Sequence, residues 1–86
     1  MTDTIAGVPI ALIAGEGALP EAIARKLAEA GEAPLVLAVR DDLEPLAPFA
    51  RRLVRLRWPS LGRGVREMRR FGAGRVIMAG WIPKRV

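Results

Sequence analysis

Two glycine-containing stretches stand where apolar runs of the sequence end, and both could bring main-chain N–H groups close to a negatively charged ligand. The first is Gly15-Glu16-Gly17, directly after the run PIALIA, and the second is Ala79-Gly80-Trp81, directly after RVIMA. Small residues let a ligand approach the backbone, and a helix that begins after the first stretch would add partial positive charge at its N-terminus. These residue types and spacings predict a site for a phosphate-bearing ligand.

Basic side chains at the ends of other runs could strengthen such a site. Arg40 ends the second apolar run, and Lys84 and Arg85 follow the last one. Arginine and lysine donate strong hydrogen bonds to phosphate, although Lys84 and Arg85 could equally serve only to keep a tail soluble. Trp81 could stack on a ligand or could equally cover the end of the sheet. The predicted ligand-binding residues are Gly15, Glu16, Gly17, Ala18, Leu19, Arg40, Ala79, Gly80, Trp81, Lys84 and Arg85.

Several named sites are excluded or disfavoured by the residues present. A dinucleotide-binding fingerprint needs a third glycine or alanine where this chain has Pro20, and no Gly-Lys-Ser/Thr follows for a Walker loop. Two glycines also suit a tight turn without any ligand. The chain has no cysteine and no histidine, and Asp41 and Asp42 are more typical of a solvated loop than of a magnesium site. The residue types leave carboxylates, hydroxyls, lysine and arginine for any chemistry, and we predict no metal-binding residue in this chain.

The order of apolar runs predicts the elements that position these residues. Strands are expected over residues 9–14, 34–39, 53–58 and 75–79. One helix should begin at Pro20 and end before Gly31, and a second, capped by Ser60, should present Leu61, Val65 and Met68 on one face. The pattern indicates an α/β, Rossmann-like three-layer domain over residues 1–86, with a four-stranded parallel sheet in the order 3-2-1-4. A buried fourth strand at a bare edge makes that sheet look incomplete.

Charge divides the chain into two unlike halves. Residues 1–50 carry a net charge of −5, and residues 51–86 carry +10. The basic half would suit nucleic acid, phospholipid head groups, a phosphorylated small molecule, an acidic partner domain, or solvent alone. Nucleic acid is the weakest of these because only Trp58 stands among the arginines as an aromatic residue. A second copy of the chain could cover the bare edge, and the short apolar runs favour a cytoplasmic protein.

Four blocks of the sequence resemble a known family when they are taken in order. They are IAGEGALP, a following helix that ends in AG, SLGRGVREMRRFG, and VIMAGWIPKR. Together they resemble the N-terminal domain of the UDP-2,3-diacylglucosamine pyrophosphatase family of lipid A biosynthesis, in its metal-dependent type that is not calcineurin-like. The resemblance covers nearly the whole chain, although the family usually continues with Arg-Pro where this chain has Arg85 and Val86.

The resemblance implies hydrolysis of UDP-2,3-diacylglucosamine to UMP and 2,3-diacylglucosamine 1-phosphate with the help of Mg²⁺. It places the catalytic, metal-binding carboxylates in a C-terminal domain absent from this chain, so the segment alone is expected to be inactive. It also implies that the two glycine stretches line the cleft that holds a glycolipid or nucleotide phosphate, at or near the inner membrane. The alternative is a non-enzymatic nucleotide- or nucleic-acid-binding module that uses its basic half.

Overall fold

The predicted strands form one parallel sheet in the computed structural model, which describes residues 8–57 and 61–82. The strands are β1 (Ile10–Ala14), β2 (Leu35–Ala38), β3 (Arg52–Arg55) and β4 (Arg75–Ala79). Their order is β3-β2-β1-β4, and all three pairings are parallel. This confirms the predicted α/β fold and strand order. The carboxyl ends of all four strands therefore meet at one edge of the sheet.

Alternation along the strands divides the core between the two faces of the sheet. Leu12 stands in register with Val36 and Ile77, and these residues pack with Ala24 of helix α1 (Leu19–Glu29). The neighbouring strand residues face the opposite side, where Leu37 packs with helix α2 (Leu61–Phe71). One helix on each face gives the predicted three layers.

Helix α1 begins and ends close to the predicted positions. Pro20 occupies an early helical position and is buried, and Gly31 ends the helix with a φ of +79°. Ile23 packs against the sheet, whereas Ala30 is exposed at the C-terminal cap. The helix is anchored mainly through Pro20 and Ala24, whose small side chains let its axis lie close to the sheet.

Helix α2 packs through a stripe that includes Met68, as predicted, but not Val65. Val65 was expected in the core but is 47% exposed. Gly64 faces the sheet instead, where a Cβ atom would lie 3.0 Å from Leu56 Cδ1. The next contact position is Glu67, which is buried with its Oε1 atom 3.1 Å from Arg52 Nη2, an ion pair without hydrogen-bond geometry. A glycine at the contact point lets the helix approach closely, so Gly64, Glu67 and Met68 face the sheet and Val65 does not.

The fourth strand corrects another expectation, because it is only partly buried. Ile77 and Ala79 face α1, but Val76 and Met78 are exposed, the latter by 70%. Helix α2 packs against β2 and does not reach this part of the sheet. Among the described residues β4 pairs with β1 alone.

The predicted loop after β2 contains one short 3₁₀ turn, Ala47–Phe49. Leu46 just before it is fully buried, and Arg25 of α1 lies over the Phe49 ring, 5.5 Å from its centroid. The turn therefore closes the edge of the α1 layer. Within residues 8–57 and 61–82, no helix has the length and apolar character required to cross a bilayer.

Candidate functional site

The two glycine stretches lie against each other at the carboxyl end of the sheet. Gly15 N–H donates to the Ala79 carbonyl oxygen at 2.8 Å, and Glu16 N–H donates to the Trp81 carbonyl oxygen at 2.7 Å. Trp81 N–H donates back to the Glu16 carbonyl oxygen at 3.2 Å, which completes an antiparallel bridge. Residues 15–18 and 80–81 thus form one hydrogen-bonded unit, which we call the turn pair.

Close packing between the two turns explains why glycine stands at two of these positions. A Cβ atom on Gly15 would lie 2.7 Å from the Trp81 carbonyl carbon. Gly80 has a φ of +81°, and a Cβ atom there would lie 2.5 Å from the Glu16 carbonyl oxygen. Both glycines are therefore required by the neighbouring turn whether or not a ligand binds. Gly17 differs, because a Cβ atom there would meet nothing within 4 Å, and its φ of +109° is what favours glycine.

The turn pair leaves a specific set of N–H groups available. The amides of Gly15 and Glu16 are bonded to β4 and its turn, so they are occupied inside the protein. The amides of Gly17, Ala18 and Leu19 have no backbone acceptor among the described residues, and no side chain caps α1. All three residues are exposed. The geometry therefore concentrates anion-binding capacity in the first turn of α1, where the helix dipole adds partial positive charge.

Arg40 supports the glycine turn from inside the protein. Its Nη1 atom donates to the carbonyl oxygens of Gly15 at 3.3 Å and Gly17 at 3.1 Å, and its Nη2 atom donates to Glu21 Oε2 at 3.0 Å. The Arg40 side chain is only 9% exposed, so its charge is paired within the chain as buried charges must be. Arg40 is therefore a positioning residue in this structure.

The role of Arg40 follows from the order of the strands. Val39 N–H donates to the Ala14 carbonyl oxygen at 2.8 Å, so the end of β2 lies directly beside the end of β1. Sequence reasoning placed Arg40 at this edge but did not anticipate Glu21 as its partner. The available signal was an acid in the first turn of the helix that follows β1.

Apolar side chains border the available amides. Leu19 is exposed at the start of α1, and Trp81, which is bridged to Glu16, is 70% exposed. Ile82 follows and is also exposed. A surface that joins N–H donors to exposed apolar groups is suited to an amphiphilic ligand with an anionic head.

The structure brings nine of the predicted ligand-binding residues to this end of the sheet, with Ala79 buried beneath the turn pair. Lys84 and Arg85 lie outside the described residues. In the part of the chain that is described, Asp and Glu side chains form no group of three or more that could hold a metal ion. These residues therefore do not fit a magnesium site.

Comparison with known proteins assigns the chain to a family. Separate searches of curated proteins and of solved structures each found no significant match. A family model described as the LpxI N-terminal domain matches residues 9–86, which include the whole sheet and both turns. The chain therefore belongs to the LpxI N-terminal domain family.

Proposed function

We propose that this chain is the substrate-binding part of a lipid A biosynthesis enzyme that hydrolyses UDP-2,3-diacylglucosamine to UMP and 2,3-diacylglucosamine 1-phosphate. Family membership supports the reaction class. The observation that carries the binding role is the set of available amides at Gly17, Ala18 and Leu19, next to the exposed side chains of Leu19 and Trp81. This arrangement matches a ligand with a phosphate at one end and acyl chains at the other.

The turn pair would bind the phosphate through main-chain donors. Phosphate oxygens would accept hydrogen bonds from residues 17–19, assisted by the N-terminus of α1. Arg40 contributes indirectly, since it binds the carbonyl oxygens of Gly15 and Gly17 and so offsets two partial negative charges beside the anion. The donors are held in place before the ligand arrives, which reduces the entropy lost on binding.

The apolar border would bind the other end of the ligand. Trp81 and Leu19 flank the amides, and burying them against acyl chains would contribute about 25 cal/mol for each Å² of apolar surface removed from water. Hydrolysis itself requires groups that the described residues do not gather. We therefore assign the Mg²⁺ of the proposed reaction, and the carboxylates that hold it, to the C-terminal domain that the family resemblance implies.

Amide NMR spectra of the isotope-labelled chain would test this function. Titration with 2,3-diacylglucosamine 1-phosphate should shift the amide signals of Gly17, Ala18 and Leu19 more than those of Gly15 and Glu16, which already have partners. Glucosamine 1-phosphate, which lacks acyl chains, should shift the same signals at higher concentration. Unchanged signals at residues 17–19 with both ligands would refute the proposed site.

A matched pair of variants tests whether acyl chains bind specifically beside the available amides or to any exposed apolar side chain. Trp81→Ala should weaken binding of the acylated ligand by at least about tenfold and change binding of glucosamine 1-phosphate much less, since Trp81 buries a large apolar area. Met78→Ala removes an equally exposed side chain from the α2 side of β4 and should change neither affinity. Equal effects of the two variants would contradict the proposed role of Trp81.

A further inference from the structure

A second, unrelated concentration of charge follows the contact line between β3 and α2. One hollow of about 460 Å³ is lined by Pro9, Arg51, Arg52, Arg70 and Phe71. A second, of about 370 Å³, is lined by Arg52, Arg55, Arg57, Arg63 and two apolar residues of β3. Because the hollows share Arg52, they form one continuous surface, which we call the arginine seam: Arg51, Arg52, Arg55, Arg57, Arg63 and Arg70.

The seam runs along the whole length of α2. Arg63 lies near the start of the helix and Arg70 near its end, and the helix of 11 residues spans about 16 Å. Arg66 and Arg69 are exposed on the same helix and extend the positive surface. The sequence from 51 to 71 contains eight arginines and a single acid, Glu67. That acid is buried against Arg52, so it does little to neutralise the exposed charge.

Most arginines of the seam have no partner within the described part of the chain. Arg52 pairs with Glu67, and Arg55 Nη2 donates to the Asp41 carbonyl oxygen at 2.8 Å. Among the described residues, the side chains of Arg51, Arg57, Arg63 and Arg70 form no ion pair or hydrogen bond. Eight arginines and one glutamate leave a net charge of +7 between residues 51 and 71, and the repulsion among these charges falls when an anionic surface approaches. Arg40, which supports the turn pair, is by contrast buried and paired with Glu21.

The chemistry of the seam favours anionic lipid over protein or nucleic acid. Protein interfaces have cores depleted of charge and enriched in apolar side chains, whereas this surface is charged along its whole length. Phe71, half-buried, is the single aromatic residue that lines either described hollow, and the sequence adds only Trp58 among the arginines, which is little for bases to stack on. Arginine binds phosphate groups through a planar fork of N–H donors, so a row of exposed arginines is suited to phosphate head groups.

We propose that the arginine seam docks the protein on a membrane surface that contains anionic phospholipid head groups. This inference goes beyond the proposed function, because it concerns a different surface and needs no glycolipid substrate. Docking would concentrate the protein at the surface where an acylated substrate resides. Open, shallow hollows suit this task because many phosphate groups can occupy them interchangeably.

Vesicle sedimentation of the 86-residue chain tests the proposal. The chain should sediment with phosphatidylcholine vesicles that contain phosphatidylglycerol, and not with phosphatidylcholine alone. Each arginine near such a surface contributes about 1 kcal/mol, so the variant Arg63→Gln/Arg70→Gln should bind about 30-fold more weakly. Added salt should weaken binding of the unmodified chain, since exposed charges are screened.

A matched control removes the same charge from the other side of the sheet. Arg25→Gln/Lys26→Gln alters α1, and its affinity for the same vesicles should change by less than about threefold. Circular dichroism and the glucosamine 1-phosphate titration should be normal for both variants, which separates this proposal from the one for the turn pair. Equal losses in the two variants, equal binding to neutral vesicles, or binding to an oligonucleotide without binding to phosphatidylglycerol vesicles would each overturn it.

Discussion

The turn pair and the arginine seam are both proposed to bind anions, but they are built in opposite ways. The turn pair relies on main-chain N–H groups that are fixed by backbone contacts between Gly15 and Ala79 and between Glu16 and Trp81. The seam relies on long side chains, four of which have no internal partner in the described structure. The first is a shaped site and the second is a charged surface.

This difference determines how each region should respond to change. The geometry of the turn pair depends on atoms packed at van der Waals distance, so small side chains added there displace backbone. The seam depends on net charge, so single substitutions should reduce binding gradually and leave the fold intact. Added salt should weaken anion binding at the seam strongly, because exposed charges are screened. It should weaken anion binding at the turn pair much less, because that binding depends on short hydrogen bonds.

The largest effect is expected from Gly80→Val. A side chain at this position combines a φ of +81° with overlap against the Glu16 carbonyl oxygen, so we expect a loss of about 3–5 kcal/mol in the free energy of unfolding. Urea denaturation followed by circular dichroism measures this loss. Gly62→Ala is the control, because a Cβ atom there meets nothing within 4 Å and alanine favours a helix. A Gly80→Val protein as stable as the unmodified chain would mean that the two turns do not pack as described.

A smaller loss is expected from Arg40→Gln. The change removes the donors to two carbonyl oxygens and leaves the half-exposed Glu21 without its partner, which should cost about 2–3 kcal/mol of unfolding free energy. Glu21→Gln keeps the contacts to the carbonyl oxygens and should cost about 1 kcal/mol. Urea denaturation of both single variants and the double variant completes the cycle. Strictly additive losses would show that Arg40 and Glu21 do not act as a unit.

The smallest effect on stability is expected in the seam. Arg63→Gln/Arg70→Gln should change the free energy of unfolding by less than about 0.5 kcal/mol, because both side chains are exposed and have no internal partner in the described part of the chain. Arg66 and Arg70 lie four residues apart on α2, so relief of their repulsion should make any change slightly stabilising. Thermal unfolding at low salt measures it. A loss above about 1 kcal/mol would mean that these arginines have a structural role.

Sequence reasoning succeeded where the signal is local and strong. The runs around Leu12 and Leu37, the helix that contains Pro20, and the stop at Gly31 all follow from apolar continuity and the special conformations of proline and glycine. These features fixed the strand order as well, because parallel strands joined by helices have few possible connections. The position of Arg40 at the shared edge and the alternation of buried Val54 and Leu56 with exposed arginines followed from the same reasoning. The predicted bounds of the third strand, residues 53–58, were wrong, because β3 spans Arg52–Arg55; the end of the predicted strand, Trp58, lies outside the described residues.

The errors arose where burial depends on a neighbouring element. Val65 fits a helical stripe, but the helix contacts Leu56 through Gly64, and Val65 is left exposed. Met78 belongs to an apolar strand, but α2 does not extend over it. Periodicity shows that a face is apolar and cannot show what covers it.

The sequence by itself determined the alternation of strands and helices, the clustering of positive charge in the second half, and the two glycine turns, because each of these is a property of residues close together in the chain. Only the tertiary structure decided which amides of the turns remain available. The amides of Gly15 and Glu16 donate to β4 and the turn after it, more than sixty residues later in the chain. The amides of residues 17–19 have no backbone acceptor among the described residues. The physical reason is that a hydrogen bond between distant segments depends on the distance and orientation that the folded sheet imposes.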